Sequence, residues 1–177
     1  MVTKFKFEEE IFSEIGPIPL STQYRLDNVG VIIRPETWNK FSVETQLLFG
    51  HLPVKTDEDK ECYRTYLLYL LKRKRRFVQV LDTNHLNLAK DEWENLARIP
   101  SRVYQMVVEL DYTLSQRDWV KMSDFKRYAL VKLSQAKYPT DYLNKAFAEL
   151  LPSESKVTAW KSKSANASDA SRQFASV

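Results

Sequence analysis

The sequence predicts an all-α fold: an irregular bundle of about seven short helices with at most a minor N-terminal strand, followed by a disordered C-terminal tail. Three observations lead there. Only 3 of 177 residues are glycine, too few for a turn-rich β fold. Apolar residues recur at helical spacing, in short runs opened by Ser or Pro and closed by Gly or Pro. After Pro152 the chain turns to Ser, Ala, Lys and Asn, a composition unable to bury enough surface to offset its ordering entropy.

In chain order, Lys4 to Glu8 alternates, with Phe5 and Phe7 on one side, as a short strand would. Ser21 is placed to cap a helix that Gly30 closes in a left-handed conformation. Val31-Ile32-Ile33 reads as a buried strand or linker, and Pro35 opens a turn leading to Trp38 and Phe41. Ser42 caps a helix with Val43 and Leu47 one turn apart, and Gly50 stops it.

Thr56 or Asp57 opens the strongest helix. Asp57, Glu58, Asp59 and Glu61 lie at its start and Lys72-Arg73-Lys74-Arg75-Arg76 at its end, both matched to the backbone dipole. Tyr63, Tyr66, Leu67, Leu70 and Leu71 form its apolar stripe, widened by Leu68 and Tyr69. Phe77 to Leu81 fits helix or strand equally, and Asp82 to Asn87 reads as a loop.

Ala89, Trp93, Leu96 and Ala97 line one face of a helix ended by Pro100, and Ser101 caps the next, striped by Val103, Val107, Leu110 and Leu114. Ser115 caps a turn bearing Trp119, and Ser123 a helix with Phe125, Ala129 and Leu133 in register. Leu143, Ala146, Phe147 and Leu150 define the last helix. The division predicted is a helical domain over 1–152 and a Ser/Ala/Lys-rich tail over 153–177.

Net charge is +4 with a pI near 9.0, and the tail carries half of that excess. This permits an acidic partner and demands none. The longest apolar run, Tyr66 to Leu71, is far too short for a membrane span, and the N-terminus has no apolar signal core; a cytoplasmic protein with no membrane partner is expected.

One cysteine excludes an internal disulfide or a CxxC motif. Cys62, beside the central stripe, reads as a small buried hydrophobe. His51 and His85 lack neighbours at ligand spacing, so no metal site and no cofactor are expected. The acid runs at Glu8-Glu9-Glu10 and Asp57-Glu58-Asp59 read as solvated caps. No nucleophile elbow, phosphate loop, HExxH or dinucleotide fingerprint occurs, and no catalytic residue is assigned. The basic run 72–76 is the functional outlier, a candidate docking patch for an acidic protein surface or for nucleic acid. Tyr63, Tyr66 and Tyr69 fall on the buried side by spacing, which disfavours base stacking. Trp38, Trp93 and Trp119 read as core anchors, and Arg25, Asp27, Arg64 and Lys132 as caps or surface ion pairs.

Phe5-Lys6-Phe7-Glu8, Ile18-Pro19-Leu20, Tyr24-Arg25-Leu26-Asp27 and Gly30-Val31 resemble the opening of the nitrate reductase-associated proteins. The likeness continues through Trp38, Phe41, Cys62-Tyr63-Arg64, Leu67 and Trp119 to Arg127-Tyr128-Ala129-Leu130-Val131-Lys132-Leu133-Ser134, covering roughly residues 4–150. Members are small and mostly bacterial, and cyanobacterial ones are needed for an active assimilatory nitrate reductase, a molybdenum and iron–sulfur enzyme. The resemblance implies a non-catalytic accessory role, with nitrate reductase or a related client as the partner. The cyanobacterial pattern carries a cysteine before the Ile-Pro pair and another after a mid-chain proline; here those places hold Pro17 and, nearby, Val54. Thiol-based metal handling therefore has no residues to perform it. The expected mode is surface contact, supplied by the Pro17 to Gly30 segment, with Pro17, Pro19, Arg25 and Asp27, and by Lys72, Arg73, Lys74, Arg75 and Arg76. A nucleic-acid-binding helical module and a small enzyme with an unrecognised site are the alternatives.

Overall fold

The computed structural model of the protein describes residues 5–9, 18–73, 79–80, 90–152 and 155. Pro17, Lys74, Arg75, Arg76, His85, the 82–87 loop and nearly all of the tail lie outside the described residues.

The fold is all-α. Helix α1 is a single turn, Lys6–Glu9, and α2 is Leu20–Asn28. Strand β1, Val31–Ile32, precedes α3 (Pro35–Trp38), α4 (Val43–His51) and α5 (Asp57–Arg73). Strand β2, Gln79–Val80, pairs antiparallel with β1, Val31 against Val80 and Ile32 against Gln79. Helix α6 covers 90–94 of the described residues. There follow α7 (Ser101–Glu109), α8 (Gln116–Lys121), α9 (Asp124–Gln135) and α10 (Thr140–Leu150).

Several sequence expectations are corrected by local physics. The segment expected as a strand forms the helical turn Lys6–Glu9, because Glu8 reaches back to the N–H of Phe5 just before it (3.2 Å) while Glu149 accepts from the N–H groups of Lys6 and Phe7 (3.1 and 3.3 Å). Side-chain carboxylates thus take three of the N–H groups that a helix start leaves unpaired, and the next, that of Glu8, donates to the Phe5 carbonyl (3.1 Å). Glu8 is itself buried rather than a solvated cap, and its second oxygen accepts from the Leu20 N–H at 2.7 Å. Ser21 does not cap α2; Pro19 holds the cap position and Ser21 is buried as the second residue of the first turn. Likewise Pro100, not Ser101, precedes α7. Gly50 does not stop α4, which runs on to His51. Helix α6 ends before Leu96 and Ala97, leaving both exposed while Trp93 is buried; Ala89, the fourth residue of that predicted face, lies outside the described residues.

Other elements follow the sequence. Ser42 and Ser123 accept from the N–H groups three residues on, and Ser115 and Asp118 form a reciprocal capping box. Thr56 and Asp59 exchange the same pair of bonds at the start of α5 (both 3.1 Å). Gly30 has φ 68°, the left-handed value expected of it.

Two apolar clusters result. The larger gathers α7, α8, α9 and α10 with Phe5, Phe7 and Trp93; the smaller gathers β1, α3, α4 and α5 around Phe49, Tyr63, Leu67 and Leu71. Helix α2 serves both: Leu20 packs into the larger cluster, Leu26 and Val29 into the smaller. Trp38, Trp93 and Trp119 are all buried. Beyond Pro152, Ser155 is also buried, its carbonyl accepting from the Thr113 N–H at 2.6 Å.

Candidate functional site

The stripe on α5 is narrower than its apolar run suggests. Tyr63, Leu67 and Leu71, at i, i+4 and i+8, are buried. Tyr66 is 40% exposed and Tyr69 57%. The tyrosines therefore do not all lie on the buried side, because a helix packed from one side buries only about a third of its circumference. Cys62 is exposed too, one position off the buried line, so it is not the buried hydrophobe its neighbours suggest. Lys72 and Arg73 are exposed at the end of the same helix.

Helix α4 adds to this surface. Tyr63 donates from its hydroxyl to the Phe49 carbonyl (3.2 Å), and Phe49 lies against Tyr66 with ring centroids 5.6 Å apart. Tyr66 thus borders α4, whose Val43 (67% exposed), Leu47 and Leu48 also face solvent. Val43 and Leu47 form a stripe at the spacing read from the sequence, but the stripe points outward; Phe49 is the residue that α4 buries in the core.

The predicted contact residues divide into two sets. Pro19 is half-buried at the start of α2. Arg25 donates to the carbonyls of Leu52 (3.0 Å) and Ser21 (2.6 Å), fastening α2 to the α4–α5 loop. Asp27 meets Lys132 at 2.7 Å and accepts from the Tyr128 hydroxyl at 2.8 Å. Burial, reinforced by the Asp27 carboxylate, pushes the Tyr128 hydroxyl far above the ordinary tyrosine range. Arg25 and Asp27 thus direct their charges onto the protein itself. Lys72 and Arg73 project to solvent, and no described residue pairs with them.

Sequence reasoning missed Arg127, a charge as deeply embedded in the helical core as any cation described. It is 4% exposed and donates to the carbonyls of Trp93 (2.7 Å), Trp119 (3.4 Å) and Met122 and to the Asp124 carboxylate. Its place in the Arg127-Tyr128-Ala129 run, amid apolar helix positions, was the available signal.

A half-open cleft of about 350 Å³ lies between α6, α7 and α9, lined in part by Asp91, Glu92, Asn95, Arg98 and Arg102. One ion pair lies within it, Arg98 with Asp91 at 3.4 Å, and Glu92 accepts from the Gln135 side chain at 2.7 Å. Among the described residues, no three of His, Cys, Asp and Glu converge as a metal site would require. His51 is exposed at the end of α4, its Nδ1 2.6 Å from the Leu47 carbonyl oxygen. Among the described residues no helix is long and apolar enough to cross a membrane.

These features define a small, mainly helical protein whose buried charges knit its own elements together and which exposes apolar and basic side chains on α4 and α5. Residues 4–150 match the family described as conserved nitrate reductase-associated protein, and the chain belongs to that family. No curated protein and no solved structure matches it.

Proposed function

We propose that this is a non-catalytic accessory protein of cytoplasmic nitrate assimilation, acting by direct contact with an assimilatory nitrate reductase. Family membership supports the client. The observation that carries the mode of action is the exposure of Tyr66 and Tyr69 within two turns of the cations Lys72 and Arg73 on α5, with Val43 and Leu47 exposed on α4, the helix that Tyr66 borders. Apolar residues left outside both cores, next to cations, suit an acidic protein surface with an apolar centre. Within this reading Pro19, Arg25 and Asp27 hold α2 in place, and Lys72 and Arg73 touch the partner. Lys74, Arg75 and Arg76 extend the positive charge in sequence.

Co-purification from nitrate-grown cells tests the proposal. Lys72→Glu with Arg73→Glu is expected to weaken recovery of the reductase about tenfold or more. An undiminished complex removes the basic end of α5 from the interface.

The exposure of Tyr66 and Tyr69 beside cations favours one second reading, a single-stranded nucleic-acid platform. A gel shift that weakens steeply with salt would select it over the accessory role.

A further inference from the structure

The outer face of α5 is complementary to itself in the antiparallel direction, and we propose that two copies of this chain pair through it about a two-fold axis. Glu58, Cys62, Thr65, Tyr69 and Lys72 are all exposed and fall at i, i+4, i+7, i+11 and i+14, a continuous seam along α5. The seam begins acidic and ends basic. An antiparallel copy that sets Thr65 opposite Thr65 also sets Glu58 opposite Lys72 and Glu61 opposite Tyr69, twice each by symmetry.

Each feature of the seam fits that register. Cys62 and Thr65 are small and sit at its middle, where two helices must approach most closely. Tyr69, 57% exposed, supplies apolar area on either side of the axis. Glu58 and Glu61 face the end of the second copy that carries Lys72 and Arg73. Dipole compensation accounts for the sign of charge at each helix end, but not for exposed apolar side chains between them. Helix α5 spans about 25 Å, so the paired face is smaller than a standard protein interface, and the dimer is weak and salt-sensitive.

This inference deepens the surface reading above, because a client that takes Lys72 and Arg73 competes with the second copy for them. Sedimentation equilibrium on the full chain tests it without any client. The wild type is expected to dimerise in low salt, with the association at least about tenfold weaker in about 0.5 M salt. Glu58→Lys with Glu61→Lys, and separately Lys72→Glu with Arg73→Glu, are each expected to give monomers. Mixing those two variants is expected to restore pairing, as is combining all four substitutions in one chain. Restoration also shows that the monomeric variants are folded.

Client binding alone behaves differently: only the basic-end reversal affects it, and the four-fold variant does not regain it. A wild type that stays monomeric in low salt overturns the inference. So does a dimer indifferent to either reversal, or a four-fold variant that fails to pair. A reductase complex lost in the basic-end variant while the wild type is monomeric leaves the accessory reading standing and removes the self-pairing.

Discussion

The carboxylate of Asp27 and the ammonium of Lys132 lie 2.7 Å apart, joining α2 to α9 across more than a hundred residues of chain. The Tyr128 hydroxyl donates to the same carboxylate, and the Lys132 ammonium sits 5.4 Å from the Tyr128 ring centroid. Because α2 packs into both apolar clusters, this triad fixes how one cluster is presented to the other. Asp27→Ala leaves the buried Tyr128 hydroxyl and a half-buried ammonium without their shared acceptor, and is expected to cost about 1–3 kcal/mol. Urea unfolding should show a lower midpoint with an unchanged slope.

Arg127 is expected to be far less tolerant. Its guanidinium draws the carbonyls of Trp93, Trp119 and Met122 together, ending α6 and α8 on one group. Removing it orphans several partly buried acceptors at once, so Arg127→Ala should cost about 3 kcal/mol or more. Arg127→Lys should recover little, since one ammonium lacks the fork geometry to reach acceptors on separate elements. Thermal melts of the three proteins compare these losses, and a lysine variant as stable as wild type would deny the fork its role.

Two residues share a left-handed backbone but differ in their fitness for it. Gly30 ends α2 at φ 68° and Asp111 ends α7 at φ 58°. After α7 the Tyr112 N–H donates to the Val107 carbonyl (2.9 Å) and the Asp111 N–H to that of Val108 (3.1 Å), the paired bonds of a Schellman turn. Gly30→Ala should therefore destabilise by about 1 kcal/mol, and Asp111→Gly should stabilise by about 0.5–1 kcal/mol. The shifts in melting temperature must be of opposite sign.

What the sequence disclosed was chiefly periodic and local. The caps at Ser42, Ser115 and Ser123 and the stripe Val103, Val107, Leu110 all reappear, because a cap or a one-faced stripe is decided within a turn or two. Outward Val43 and Leu47 and exposed Tyr66 and Cys62 were illegible, since periodicity states that residues share a face without saying which face meets a neighbour. Glu8 and Arg127 were hidden for another reason: a charge is buried only where acceptors or donors from distant elements converge, and those meet only in the folded chain. Of the proposed contact site, the basic end of α5 was plain in the charge pattern and its apolar neighbours were not.

Two buried tyrosines, Tyr63 and Tyr128, and the partly buried Tyr142 set the alkaline limit. Burial raises the hydroxyls of Tyr63, Tyr128 and Tyr142, and of Tyr128 further through Asp27. Each stays protonated in the folded chain at a pH where the unfolded chain has begun to ionise. The unfolded state then binds fewer protons, so stability falls as pH rises. The stabilising contribution is complete below about pH 10 and declines above it, by up to about 1.4 kcal/mol per pH unit for each such tyrosine. Tyr63→Phe should make the alkaline decline less steep in denaturant titrations at stepped pH. An identical slope would mean that Tyr63 ionises equally in both states.

The exposed face of α4 offers the sharpest separation of stability from contact. Val43 and Leu47 lie outside both apolar clusters, so Leu47→Asp removes little buried area and should shift stability by no more than about 0.5 kcal/mol. If the α4–α5 face is where the reductase docks, the same substitution places a carboxylate in a desolvated contact, and recovery of the complex should fall about tenfold or more. Tyr112, buried in the larger cluster on the other side of α2, provides the contrast: Tyr112→Ala should lower the unfolding midpoint by an amount equivalent to about 2–4 kcal/mol through lost core packing. Below its melting transition that variant should still recover the reductase. A Leu47→Asp protein that both unfolds and captures the reductase like the wild type would take α4 out of the interface and leave the basic end of α5 to act without it.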